Sequence, residues 1–265
     1  MTVKLVNNKL QINYFLYEIV HHCNLKCRGC DHCSPIANEE YVELKTYKKD
    51  IKKMKKIFHQ INSFAIMGGE PLLHPKIVDI MKMSRKILKE TNIFIYTNGI
   101  NLLNQSPFFW ETCKKYKIFI VITKYKINID HKKIFKIANE YNVNIFFEGN
   151  REKKYFSKIK FNLDGNENII SSHNDCYQGK VCHQLENGIL YKCTIIPASR
   201  HFNSYFNKNM IVLEEDGLNI HKRLKKEEII EYFEKPVPFC KYCDMSEREE
   251  NKEWGLSKKE ITEWT

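Results

Sequence analysis

Nine of the ten cysteines in a chain of 265 residues fall into two sets whose spacing bears on chemistry. Cys23-Asn-Leu-Lys-Cys27-Arg-Gly-Cys30 is a C-x3-C-x2-C run, tight enough for one loop to wrap a metal cluster. Three thiolates are one short of a full set for a cubane iron–sulfur cluster, so one iron would stay open to a small ligand. Cys33 follows closely and offers a fourth thiol, and a tetrahedral zinc site is the alternative. The second set is Cys176, Cys182, Cys193 and the pair Cys240-Lys-Tyr-Cys243. Cys113 stands apart. A buried free cysteine is ordinarily a small apolar residue, but a free thiol near a substrate could also return a hydrogen atom to a carbon radical. Cys33, Cys113, Cys176 and Cys182 are candidates for that role.

Two further motifs follow. Gly68-Gly69-Glu70-Pro71 pairs two residues that let backbone approach a ligand with a carboxylate able to orient an ammonium group and a proline that fixes the exit. Thr97 and Asn98, before Gly99, could hydrogen-bond ribose or carboxylate oxygens, or serve only as turn residues. Lys124, between Thr123 and Tyr125, could meet an anionic substrate or lie in solvent. Glu148 could face the same site or cap a turn.

The elements that must position these residues follow from periodicity. Strands are expected over 14–20, 63–67, 92–96, 117–123, 143–147 and 158–163. Helices are expected over 45–60, 75–90, within 105–116, and over 131–141. In the first helix Ile51, Met54, Ile57 and Phe58 fall at helical spacing, so the basic run over 48–56 is its solvent face. This alternation predicts an α/β fold with parallel βαβ units, whose ligands gather at the C-terminal strand ends. Each motif in the first half sits at such an end. After about residue 165 the alternation stops. Residues 172–245 read as a small metal-dependent subdomain and the remainder as a polar, helical tail.

The composition is 43% hydrophobic, with a net charge of +11. That supplies a sizeable core, and no stretch nears the roughly 18 apolar residues of a membrane span. No N-terminal apolar run suggests a signal peptide, so a soluble cytoplasmic protein is expected. The charge reads first as a lysine-rich surface and second as a match for an acidic partner or anionic substrate. No aromatic–basic interleaving of a nucleic-acid-binding module stands out.

Taken together, Cys23/Cys27/Cys30 after the first strand, Gly68-Gly69-Glu70-Pro71 after the second and Tyr96-Thr97-Asn98-Gly99 after the third resemble the radical S-adenosylmethionine (radical SAM) superfamily over residues 14–163. One departure is Gly29, where many members carry an aromatic residue; Ile36 is a candidate to supply that packing. The resemblance implies a partial (β/α)6 radical SAM barrel over residues 1–165. It implies a [4Fe–4S] cluster on Cys23, Cys27 and Cys30 whose open iron binds S-adenosylmethionine, with Gly68, Gly69, Glu70, Pro71, Thr97 and Asn98 as cofactor contacts. Residues 166–265 resemble the auxiliary-cluster extension called SPASM, or twitch when shortened. Eleven residues separate Cys176 from Gly188, and four separate Gly188 from Cys193. The similarity favours one auxiliary [4Fe–4S] cluster on Cys176, Cys193, Cys240 and Cys243, with Cys182 either replacing Cys176 or remaining free as a hydrogen donor.

The stretch from Cys30 to Pro35, with Asp31 and His32 as possible cofactor or substrate contacts, is similar to radical SAM proteins of polysaccharide and sugar modification. The implied function is oxidation or epimerisation of a sugar or nucleotide-linked sugar, a small-molecule substrate. A flavodoxin or ferredoxin would be the electron donor, with neither membrane nor nucleic acid as partner. Radical SAM peptide maturation is one alternative. A zinc-stabilised nucleic-acid-binding protein is another.

Overall fold

The computed structural model describes residues 2–148 and 155–265. It begins with a hairpin, β1 (Val3–Val6) against β2 (Lys9–Glu18). From β2 the chain runs through α1 (Leu44–Ile57), β3 (Gln60–Met67), α2 (Ile77–Ile87), β4 (Asn92–Thr97), α3 (Pro107–Lys115), β5 (Ile118–Ile122), α4 (His131–Glu140) and β6 (Ile145–Phe147). Every element expected up to residue 147 is present, with shifted ends. Some ends have visible causes. Ser106 accepts a hydrogen bond from the Phe109 N–H and Pro107 takes the first helical position of α3, where a missing N–H costs nothing. Asp130 caps α4 through the Lys133 N–H at 2.9 Å.

The second half contains β7 (Tyr155–Phe161), α5 (Ile169–Asp175), α6 (Gln178–Val181), β8 (Gln184–Glu186), β9 (Ile189–Tyr191), α7 (Ile195–Phe206), β10 (Gly217–Asn219), α8 (Lys226–Glu234) and β11 (Cys243–Glu253). Strands β2 to β6 are parallel neighbours in chain order, and β8 pairs parallel with the other edge of β2. Six parallel strands therefore make the partial barrel, and β9 and β10 extend it antiparallel.

Two expectations for this half are corrected. The strand expected over 158–163 does not join the barrel. As β7 it pairs antiparallel with β11, Phe161 opposite Cys243, because Ile159 and Phe161 belong to a second apolar core with Phe202, Phe239 and Trp264. The tail expected to be helical supplies β11 instead.

The parallel sheet has two unlike faces. Phe15, Tyr17, Phe64, Ile66, Ile93, Ile95 and Ile120 are fully buried in one core with Ile51, Met54, Ile80 and Ile134 of the helices. Burying a side chain of this size contributes about 1.5–3 kcal/mol. Residues of the opposite alternation, Tyr14, Phe94, Tyr96 and Phe119, are only partly buried and line the hollow of the barrel. Phe94 stacks on Phe119 at 5.3 Å. No described helix is long and apolar enough to cross a membrane.

Candidate metal centres and active site

The first cysteine loop leaves β2 and runs through Val20 and His22 to Cys23. The Gly68-Gly69 turn lies directly against that backbone. A Cβ on Gly68 would stand 2.2 Å from the Val20 carbonyl oxygen, and one on Gly69 2.2 Å from that of His22. Gly68 also holds φ +151°. Only glycine permits this contact, which the Gly69 N–H seals by donating to the Val20 carbonyl at 2.7 Å.

Glu70 is fully buried. Its carboxylate accepts from Thr97 Oγ1 at 2.8 Å, the Asn98 N–H at 2.9 Å and the Leu72 N–H at 3.0 Å. Burial pushes its carboxyl up to about 7, against the pull of these donors. Glu70 therefore ties the β3 end to the β4 end, and Pro71 opens the short turn Pro71–Leu73 beneath. Asn98 Nδ2 donates to Asn24 Oδ1 at 2.8 Å and lies 3.6 Å from Cys23 Sγ. The two motifs clamp the cysteine loop.

The other side of the loop is strapped by a segment far along the chain. The Arg28 N–H donates to the Gly255 carbonyl at 2.8 Å, the Ser257 N–H to that of Lys26 at 2.9 Å, and Trp264 Nε1 to that of Cys30 at 3.0 Å. This explains Gly29. At φ +57°, its Cβ would stand 2.7 Å from the Glu263 carbonyl oxygen.

Donors already aim at the sulfurs: Trp254 Nε1 at Cys27 Sγ, 3.2 Å, and the Leu25 N–H at Cys23 Sγ, 3.4 Å. Such N–H···S contacts tune iron–sulfur clusters. Burial pushes the Cys23 thiol up to about 11 and Cys30 up to about 12, so three thiolates here require a cationic centre. The residues fit a three-cysteine cluster. Cys33 is fully buried and packs, with Ile36, into the second apolar core. Cys113 lies likewise in the main core.

Cys176, Cys193, Cys240 and Cys243 line one cavity, together with Ile159, Gly179, Lys192 and Phe239. The Gly179 N–H donates to Cys176 Sγ at 3.3 Å. Burial raises the Cys193, Cys240 and Cys243 thiols. This four-thiol pocket fits a metal centre. Cys182, which the sequence also counted in the metal set, is not among the residues that line this cavity, although it lies within electrostatic reach of Cys176. At the C-terminus of α6, Cys182 also lies within electrostatic reach of Tyr14, Tyr96, Asp31 and Glu148.

Those residues define the hollow. Thr123 Oγ1 donates to Glu148 Oε2 at 2.5 Å, and Gln178 Nε2 donates to Asp31 Oδ2 at 2.5 Å. Tyr125, its ring tilted against Trp254 at 5.6 Å, is within electrostatic reach of Cys23, Cys27, Cys30 and Glu148, and so stands between the first thiol set and the hollow. Lys124 turns the other way, its Nζ 5.6 Å from the Phe147 ring. Burial, Asp31, the Cys176 thiol and Glu148 all push the Cys182 thiol up.

His32 takes part in a buried network rather than facing the thiols. Its Nδ1 lies 3.3 Å from Glu18 Oε2, and Gln184 Nε2 donates to both Glu18 and Glu186. Burial works against the Glu18 charge, but His32 and His21 outweigh it and hold the carboxyl below its usual range. This network joins β2 to β8. The sequence reading missed Tyr14, Tyr96, Lys192 and Trp254. Strand alternation could have found the tyrosines, since both sit out of phase with the buried isoleucines and phenylalanines. Nothing local marks Lys192 or Trp254.

Residues 17–134 match the family model described as the Radical SAM superfamily. A GTP 3',8-cyclase of Microcystis aeruginosa is 28% identical over 104 residues, 38% of this chain and 32% of that enzyme. A GTP 3',8-cyclase of Clostridium perfringens is 34% identical over 95 residues, 35% of this chain and 29% of that one. The chain thus spans about a third or less of these curated relatives. Among solved structures, BtrN in complex with AdoMet and 2-DOIA superposes with a TM-score of 0.54 at 14% identity, covering 88% of this chain and 92% of that one. The anSMEcpe structure with bound AdoMet gives 0.51 at 14%, covering 87% and 82%. These likenesses are of fold.

Proposed function

With a radical SAM domain over residues 17–134 as the premise, we propose that the protein cleaves S-adenosylmethionine reductively and takes a hydrogen atom from a carbon of a sugar or nucleotide-linked sugar, oxidising or epimerising it. Cys23, Cys27 and Cys30 would hold the SAM-binding [4Fe–4S] cluster, and Cys176, Cys193, Cys240 and Cys243 an auxiliary one in a twitch-like subdomain. When bound, the first cluster and its cofactor supply a 5′-deoxyadenosyl radical able to attack an unactivated C–H bond. The observation that carries this reading is that Cys182, Tyr14, Tyr96 and Glu148 lie within electrostatic reach of one another, and that Tyr125 lies within such reach of both Glu148 and the first thiol set.

Each residue then has a task. Gly68, Gly69 and the Glu70 clamp hold the cysteine loop and Asn98 in register for the cofactor. The aromatic lining shields the hollow from water. Glu148 and Asp31 accept hydrogen bonds from substrate hydroxyls, so a polyol suits the hollow better than the anionic group expected from net charge. Two outcomes follow removal of hydrogen from a carbinol carbon. Loss of one electron and one proton gives a carbonyl. Transfer of the Cys182 S–H hydrogen to the opposite face inverts the centre and leaves a thiyl radical, which one electron and one proton restore.

The GTP 3',8-cyclase relatives favour a second reading in which the substrate is a nucleotide. One experiment tests both. Anaerobic reconstitution should give iron near about eight per chain, as two cubanes require, and 5′-deoxyadenosine on reduction. Deuterium from labelled sugars, or from labelled GTP, entering 5′-deoxyadenosine identifies the substrate class. C23A/C27A/C30A should abolish cleavage; cleavage that survives sinks the site assignment. C182A should keep its iron, and it loses turnover only if the outcome is epimerisation.

A further inference from the structure

Lys192 is a lysine with almost no water, 1% exposed, immediately before Cys193. Its side chain lines the four-thiol cavity. Its stem passes Gly179, whose N–H donates to Cys176 Sγ. Its Nζ donates to the Lys235 carbonyl at the end of α8 and stands 5.6 Å from the Tyr232 ring centroid. A buried ammonium is costly unless paired. The carbonyl and the ring offer partial charges only. Among the described residues that line this cavity, the groups able to carry a negative charge are Cys176, Cys193, Cys240 and Cys243. The full counter-charge for Lys192 is therefore the thiolate set itself.

We propose that Lys192 is a redox-positioning residue that raises the reduction potential of the centre held by Cys176, Cys193, Cys240 and Cys243, making it an acceptor for the electron released when a substrate carbon radical becomes a carbonyl. This rests on the auxiliary-cluster reading above. The physical reason is charge. Four thiolates outweigh the cationic iron–sulfide core, and reduction by one electron adds another negative charge. A fixed cation in a medium of low dielectric stabilises the reduced form more than the oxidised form. In the step served, a carbinol radical gives up one electron to the centre and the hydroxyl proton to solvent, and the C–O bond becomes a C=O. The accepted electron leaves to the external donor protein in its oxidised form. The same geometry favours dehydrogenation over epimerisation, which needs no electron sink.

The test is a spectroscopic redox titration of the reconstituted two-cluster protein, comparing wild type with Lys192→Met and Lys192→Arg. The Met variant should hold the accepted electron at least tenfold less tightly, a fall of about 59 mV for a one-electron couple. The Arg variant should stay near wild type, and the first cluster should not shift in either. An unchanged potential in a Met variant that carries both clusters overturns the inference, leaving Lys192 as a cap for α8. If the Met variant fails to assemble, Lys192→Gln keeps a hydrogen-bond donor to the Lys235 carbonyl and is read the same way. Wild type with about four irons per chain instead overturns the auxiliary cluster, a failure seen before any variant is made.

Discussion

At the scale of single residues, chemistry that spacing can express was legible and chemistry that needs a third dimension was not. Cys23, Cys27 and Cys30 share one loop, so their proposed joint role follows from two short intervals. Cys176 and Cys182 are near neighbours in sequence with opposite fates. One caps α5 and turns toward Cys193, while the other ends α6 and turns toward Tyr14 and Tyr96. No interval encodes which way a helix end faces. His183, beside Cys182, carries a testable consequence. Its Nδ1–H donates to the Lys192 carbonyl at 2.7 Å, its Nε2 is buried without a hydrogen-bond partner, and the ring packs on Phe233. Burial lowers its pKa from the usual 6.5 to about 4. The unfolded chain therefore binds the proton first, so this contribution to stability is intact above pH 6.5 and drains as the pH falls toward 4. The depth of the effect is roughly 3 kcal/mol at most. His183→Asn keeps a donor for the carbonyl and should flatten the pH dependence of denaturant midpoints across that window. A slope equal to wild type would show that other groups carry the acid sensitivity.

At the scale of elements, the βα units were readable because each strand alternates a helix-facing isoleucine or phenylalanine with a residue of the hollow. The short strands β8, β9 and β10 span three residues each, too few to establish a period. β11 is almost wholly polar, and its pairing with β7 is irregular in register, so it read as a tail. Yet the segment after it straps the first cysteine loop at Arg28, Lys26 and Cys30. Gly29 tests this strap. Gly29→Ala would place a Cβ against the Glu263 carbonyl and strain the backbone at positive φ, at about 1–2 kcal/mol. The expected result is faster proteolysis within 254–265 and loss of the first cluster's iron while the second cluster's spectrum persists. Retention of both clusters at wild-type protease resistance would show that the strap is not needed to hold the loop.

At the scale of the whole molecule, charge and chemistry part company. The net charge of +11 reads first as a lysine-rich surface and second as a match for an anionic group, while the charged neighbours of Cys182 include Asp31 and Glu148 and Lys124 lies against the Phe147 ring. On the proposed function, a lysine-rich surface would suit an acidic electron-donor protein such as a flavodoxin. Reduction by such a donor should slow steeply as salt rises from about 0.01 M to about 0.5 M, because the screening length shrinks several-fold. Reduction by a small neutral dye should change little. Stopped-flow absorbance distinguishes the two, and equal salt responses would place the donor's docking surface away from the lysines.

The strap also has a meaning in time. Cys30 and Trp264 are joined by a hydrogen bond across 234 residues of sequence. At synthesis rates of about 5–20 residues per second, the thiol loop emerges from the ribosome roughly ten to fifty seconds before its clasp exists. During that interval the three thiols are open to oxygen and to stray metal ions, and the finished cradle cannot yet form. Faithful loading of the first centre should therefore follow the synthesis of residue 264, and the nascent loop is exposed to oxidation until then.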